Sequence, residues 1–116
     1  MSDRNIAILT RARDMVKNGW LQNKGYDQLT GKMCAGHAVC QATKLELEGV
    51  LPQGWIASCD VQAEAEAASM LLLLAAEELT LHHWESIPQW NDAPWRTLDE
   101  VVDTFDRALK MAGKED

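Results

Sequence analysis

Apolar residues recur every three or four positions through four stretches of this chain and nowhere alternate over the length of a strand, so the pattern predicts helices. Over residues 3–18, Ile6, Leu9, Ala12 and Val16 form one stripe with Met15 beside it, after Ser2 or Asp3 as N-cap. Asn18 and Gly19 end that helix, with Gly19 read as a left-handed C′ residue and Trp20 folding back on the last turn. A second helix over about 32–48 repeats Cys34, Ala38, Ala42 and Leu45, with Lys32, Lys44, Glu46 and Glu48 mostly opposite, and Gly49 closes it. The stretch "VLPQGW", 50–55, is a connection.

The third segment runs from an Asp60 cap to about Leu81, and its polar residues Gln62, Glu66, Ser69 and Glu77 make only a narrow stripe. A helix apolar nearly all round is wrapped by its own chain or shared with a partner. It is therefore expected at the centre of the fold, with a second copy of the chain as one candidate for covering it. The fourth helix places Leu98, Val101, Val102, Phe105, Ala108, Leu109 and Ala112 on one face and takes Gly113 as terminator. Thr97 with Glu100 three positions on is a capping box at its start. The prediction is an all-α, compact four-helix single domain, residues 1–116, with a central apolar helix at about 60–81.

Between the third and fourth helices lies "SIPQWNDAPWRTLDEV", residues 86–101. Asn and Asp side chains bond the backbone two residues on, and Pro fixes φ and pushes its predecessor to extended conformations, so "NDAP" is turn chemistry. Two readings follow. Trp90 and Trp95 pin the ends of the turn to the core, with Arg96 reaching Asp92, Asp99 or another helix's acidic end. Alternatively Trp90, Asn91, Asp92, Trp95 and Arg96 form a partner-binding surface, because aromatic and arginine side chains beside a rigid turn are what interaction hot spots are made of.

Charge narrows the classes. With 18 acidic against 11 basic residues and a net charge of −7 spread along the chain, nucleic-acid backbones are repelled, and no direct nucleic-acid binding is expected. The charged N-terminus does not read as a secretory signal, and "MLLLLAA" is too short to span a bilayer, which takes roughly 20 apolar residues. Three cysteines, an odd number, suggest reduced thiols in a cytoplasmic protein rather than a disulfide framework.

Cys34, His37 and Cys40 are metal-ligand types at spacings of three, but on a helix the two sulfurs would lie roughly 120° and 9 Å apart. Completing a site would take His82, His83 or Cys59, and no CxxC or HExxH signature supports it. A nucleophilic thiol at Cys34 would need an activating base and an oxyanion donor, and no third orienting residue can be named. Glycine-rich phosphate loops are absent. No metal, cofactor or catalytic residue is assigned.

The segments "NGWLQNKGY", "CAGHAVCQA" and "SIPQWNDAPWRTLDEVVDTFDRAL" resemble a family of small proteins from actinobacteria and their phages whose function is unknown. That family carries a GW-x-Q stretch and a W-N-D-x-P-x-R-T turn; His37 stands here where a small residue is expected. The matched positions are Trp20, Gln22, Cys34, Trp90, Asn91, Asp92, Arg96 and Thr97. The resemblance implies an intracellular phage or prophage origin and a role in binding a protein, with a host protein as one candidate. The alternative is a small ligand- or metal-binding protein, enzymatic or not, with its site around Cys34 and His37.

Overall fold

The computed structural model describes residues 2–50 and 61–114. Within them lie five helices and no strand: α1 (Ser2–Asn18), α2 (Ala35–Glu48), α3 (Gln62–Thr80), α4 (Ile87–Asn91) and α5 (Leu98–Lys114). The all-α expectation holds, and the count of four is corrected to five. The added helix, α4, lies inside the segment read as a turn. Ser86 caps it by accepting from the Gln89 amide at 3.2 Å, and Pro88 sits in its first turn. The Gln89 side chain reaches back to accept from the Glu85 amide at 2.8 Å, so both orphaned donors are satisfied within five residues.

Helix ends depart from the expected ones for local reasons. α2 starts at Ala35 rather than 32, because Met33 is engaged with the chain just after α1: its amide donates to Gly19 at 3.0 Å and its carbonyl accepts from Leu21 at 3.2 Å. Cys34 is left as the N-cap, in an extended conformation. Gly49 does close α2 in the left-handed region at φ 76°, its amide donating to Leu45. Gly19 is not left-handed; its role is proximity, since a Cβ there would stand 2.9 Å from Lys32 Cγ. Gly113 lies within α5 and does not stop it. α3 ends at Thr80 with Leu81 as a left-handed cap at φ 55°, and the expected Asp60 cap falls outside the described residues.

α1 packs against both α2 and α5 and also touches α3, while α5 lies between α1 and α3. α1 thus has helices on more than one side, and α3 touches each of the other four. Of the expected α1 stripe, Leu9, Ala12 and Val16 are fully buried and Ile6 is half-buried, while Ile8, off that stripe, is fully buried. Two neighbours demand a buried arc wider than a single stripe. From α5, Val101, Phe105, Ala108 and Ala112 are fully buried, as the periodicity required. Each large side chain removed from water in this core contributes on the order of 1.5–3 kcal/mol.

The placement of α3 differs from the expectation of an enclosed helix. It buries Ala65, Ala68, Leu71, Leu72, Ala75 and Ala76 against its neighbours, yet Ala63, Ala67, Met70 and Leu74 are exposed. It touches all four other helices but leaves one face to solvent, so it is not enclosed. Cross-links at the rim join the helices: Arg13 to Asp106 at 2.8 Å (α1 to α5), Arg11 to Glu46 (α1 to α2) and Arg107 to Glu78 (α5 to α3). Exposed pairs of this kind contribute about 0–1 kcal/mol each, so burial sets the architecture. No described helix is long and apolar enough to cross a membrane.

Candidate functional site

The residues singled out in the sequence converge on two places. The first is a polar knot where the segment after α1 meets α4 and the start of α2. Asn91 is fully buried, and its carboxamide is saturated. Its oxygen accepts from Trp20 Nε1 at 2.8 Å and from the Ala35 amide at 3.0 Å, while Nδ2 donates to the Leu21 carbonyl at 3.0 Å and to Asp92 Oδ1 at 2.8 Å. One side chain thus ties together three segments far apart in the chain.

Gln22 completes the knot from the other side, donating from Nε2 to the carbonyls of Asn91 at 3.0 Å and Ala93 at 2.8 Å. Asp92 Oδ1 also accepts from the Asn23 amide at 2.8 Å. Asn23 stands at φ 63°, a left-handed conformation that asparagine tolerates better than most residues. The Trp20 indole N–H thus reaches across to Asn91. Cys34, adjacent to Ala35, sets the α2 amides at the edge of the knot.

Arg96 takes a route that the sequence did not suggest. It goes neither to Asp92 nor to Asp99; its guanidinium carbon lies 5.3 Å from the Trp84 ring centroid and 5.4 Å from that of Trp90. Nε donates to the Trp90 carbonyl at 3.0 Å, and Glu100 stands 3.8 Å from Nη1. Burial pushes the guanidinium pKa down, with Glu100 acting in the opposite direction. Nη2 has no hydrogen-bond partner among the described residues, so the two indole faces provide its main compensation. The Thr97–Glu100 capping box forms as expected, with Thr97 N donating to Glu100 Oε1 at 2.9 Å and Glu100 N to Thr97 Oγ1 at 3.2 Å.

Of the five turn residues considered for a partner, Trp90, Asn91 and Arg96 are thus buried and Asp92 is half-buried. Trp95 is 67% exposed and does not pin the turn. The knot's geometry suits holding a chain together, since its donors and acceptors face one another. The hydrophobic pattern could not reveal this, but the S-x-x-Q signature at Ser86 and Gln89 was available to locate α4.

The second place is an open cleft of about 670 Å³ bounded by α2, α3 and the start of α4, lined by Cys34, His37, Cys40, Ser69, Ser86 and Ile87 among others. The His37 ring is buried, stacked on Tyr26 with centroids 5.2 Å apart, and lies 3.1 Å from Gln41 Nε2. Cys34 Sγ accepts from the His37 amide at 3.4 Å. Burial pushes the Cys34 thiol up, while amide contacts from His37 and Gly36 act against it. The geometry favours a protonated thiol serving as a helix cap over an activated nucleophile. Among the described residues no three His, Cys, Asp or Glu side chains are grouped to hold a metal ion; Cys59 lies outside them. His83 pairs with Glu77 at 2.6 Å, and His82 packs on the Trp84 ring.

Along the α3 edge this cleft continues into a shallower groove of about 280 Å³ whose walls include Glu66, Met70, Leu73 and Ile87. Beyond it lies the solvent-facing side of α3, where Met70 is 51% and Leu74 43% exposed. This is apolar surface on a regular helix with no covering element among the described residues.

Comparison with curated proteins and with solved structures gives no match. The profile of a family of unknown function matches residues 1–111, nearly the whole chain. The chain therefore belongs to that family, DUF6197.

Proposed function

We propose that this chain is a non-catalytic phage or prophage-type protein of the bacterial cytoplasm that acts by binding another protein through an apolar surface. The observation that carries the reading is the outward side of α3, where Ala63, Ala67, Met70 and Leu74 stay exposed although the helix is the most apolar of the chain. Solvated surface helices ordinarily carry polar residues there. Trp95 is the one turn residue with most of its indole available to a partner. The actinobacterial and phage setting rests on the resemblance of the GW-x-Q and W-N-D-x-P-x-R-T segments.

The test is capture from an actinobacterial lysate by the intact chain, by the charge-neutral double variant Met70→Ser/Leu74→Ser, and by Trp95→Ala. A specific protein retained by the wild type and lost by the double variant supports the reading. Equal capture by all three chains contradicts it.

A second reading, a small-molecule site around Cys34 and His37, has the cleft of about 670 Å³ in its favour. It requires an accessible, reactive thiol or stoichiometric metal. Elemental analysis and a thiol-reactivity titration at neutral pH decide it.

A further inference from the structure

On a helix of 3.6 residues per turn, Ala63, Ala67, Met70 and Leu74 fall within an arc of about 60°, on the side away from Ala65, Ala68, Leu72 and Ala75. Their spacings of four, three and four residues are those of successive core positions in a heptad repeat. The next position of the series is Glu77, which pairs with His83, so the apolar seam runs from Ala63 to Leu74. No described element of the bundle covers this seam. Its form, a straight apolar ridge, matches what a second helix packs against.

The charges beside the seam identify the kind of helix. α3 contains no basic residue, and its acids Glu64, Glu66, Glu77 and Glu78 lie at both ends of the ridge. Glu77 is paired with His83 and Glu78 with Arg107, whereas no ion pair engages Glu64 or Glu66 among the described residues. A parallel second copy would set each acid against itself. An antiparallel copy pairing Met70 with Leu74 would bring Glu66 against Glu78, in a molecule already at −7. Like charges across the flanks of a helix pair disfavour it, and opposite charges select the partner. Self-association is therefore the weaker fit.

We infer that the α3 seam receives an amphipathic helix of another protein, about two heptads with apolar core positions flanked by lysine or arginine. This rests on the protein-binding reading above and names the partner's chemistry. Ala63 and Ala67 leave room for the partner's bulkiest side chains at the N-terminal end of the seam. Met70 adapts to what it meets. The groove between Met70, Leu73 and Ile87 takes an anchoring side chain from the partner's edge. A basic helix also gains from long-range attraction to the acidic chain, which speeds encounter and weakens with salt.

The inference is tested by titrating the full chain with two synthetic 21-residue helical peptides that share leucine core positions, one flanked by lysines and one by glutamates. The expected result is that the lysine peptide binds at least about tenfold more tightly than the glutamate peptide, and that Met70→Ser/Leu74→Ser weakens it by about tenfold or more. Circular dichroism of the variant should be unchanged. Equal binding of the lysine peptide to wild type and variant would mean attraction to acidic surface alone, and would overturn the inference. So would equal binding of both peptides, or a concentration-dependent dimer in sedimentation that the double variant abolishes. If neither peptide binds while capture from the lysate still depends on Met70 and Leu74, this inference fails and the protein-binding reading stands.

Discussion

The polar knot around Asn91 and the outward side of α3 are opposites. In the knot, Asn91 makes four hydrogen bonds and is fully buried. On α3, Met70 and Leu74 are half in water, with no described element laid over them. The more elaborate sequence, "WNDAPWRT", serves the fold, and the plainer one, "AEAEAASMLLLL", leaves apolar surface that no described element covers. Unusual residue types show where geometry is demanding; uncovered apolar area shows where binding free energy is still available.

The contrast can be broken first at Asn91. Asn91→Ala removes the partner of the Trp20 indole, the Ala35 amide and the Leu21 carbonyl at once, and each buried group left unsatisfied costs about 1–3 kcal/mol. A loss of about 3 kcal/mol or more is expected, read as a lowered urea midpoint. Arg96→Met comes next. It forfeits the hydrogen bond to Trp90 and the contacts with both indoles, for a loss of about 2 kcal/mol in the same measurement. Thr97→Ala breaks the capping box and should cost about 1 kcal/mol.

Leu81→Gly has the opposite sign. Leucine at φ 55° is strained and its side chain is almost wholly exposed, so glycine should raise the thermal midpoint by an increment corresponding to about 1 kcal/mol. The smallest effect belongs to the seam. Met70→Ser/Leu74→Ser should change stability by about 1 kcal/mol or less, because both residues are already partly in water.

Legibility in the sequence followed the same division. The face and the start of α5 are readable, since one buried face and one capping box produce a clean period and a clean start. α1 was readable in extent, but Ile8 was missed because a helix with neighbours on two sides buries more than one stripe. The length of α3 was apparent, and its apolar excess was read as enclosure; periodicity counts apolar positions and cannot say which of them the chain itself covers. Gly113 failed as a terminator because a glycine near a helix end permits a left-handed turn without requiring one.

The knot was half legible. Turn chemistry in "NDAP" and the Thr97–Glu100 box are local and were read from local rules. That Trp20, Gln22, Asn91 and Asp92 meet is a matter of long-range pairing between polar groups, which leaves no trace in hydrophobic spacing. Their co-occurrence in the resemblance marked them as a set without showing what they do together. Charge alone points Arg96 to a carboxylate, whereas two indoles flanking a guanidinium leave no local signature in the sequence.

The most direct measurement is hydrogen exchange at the tryptophan indoles, followed by NMR. Trp20 Nε1–H donates to a fully buried Asn91 and Trp95 is 67% exposed. The Trp20 indole proton should exchange orders of magnitude more slowly than that of Trp95, and Asn91→Ala should remove that protection. Equally rapid exchange at Trp20 and Trp95 in the wild type would contradict the account, because the knot would then be open to water and its residues free for a partner.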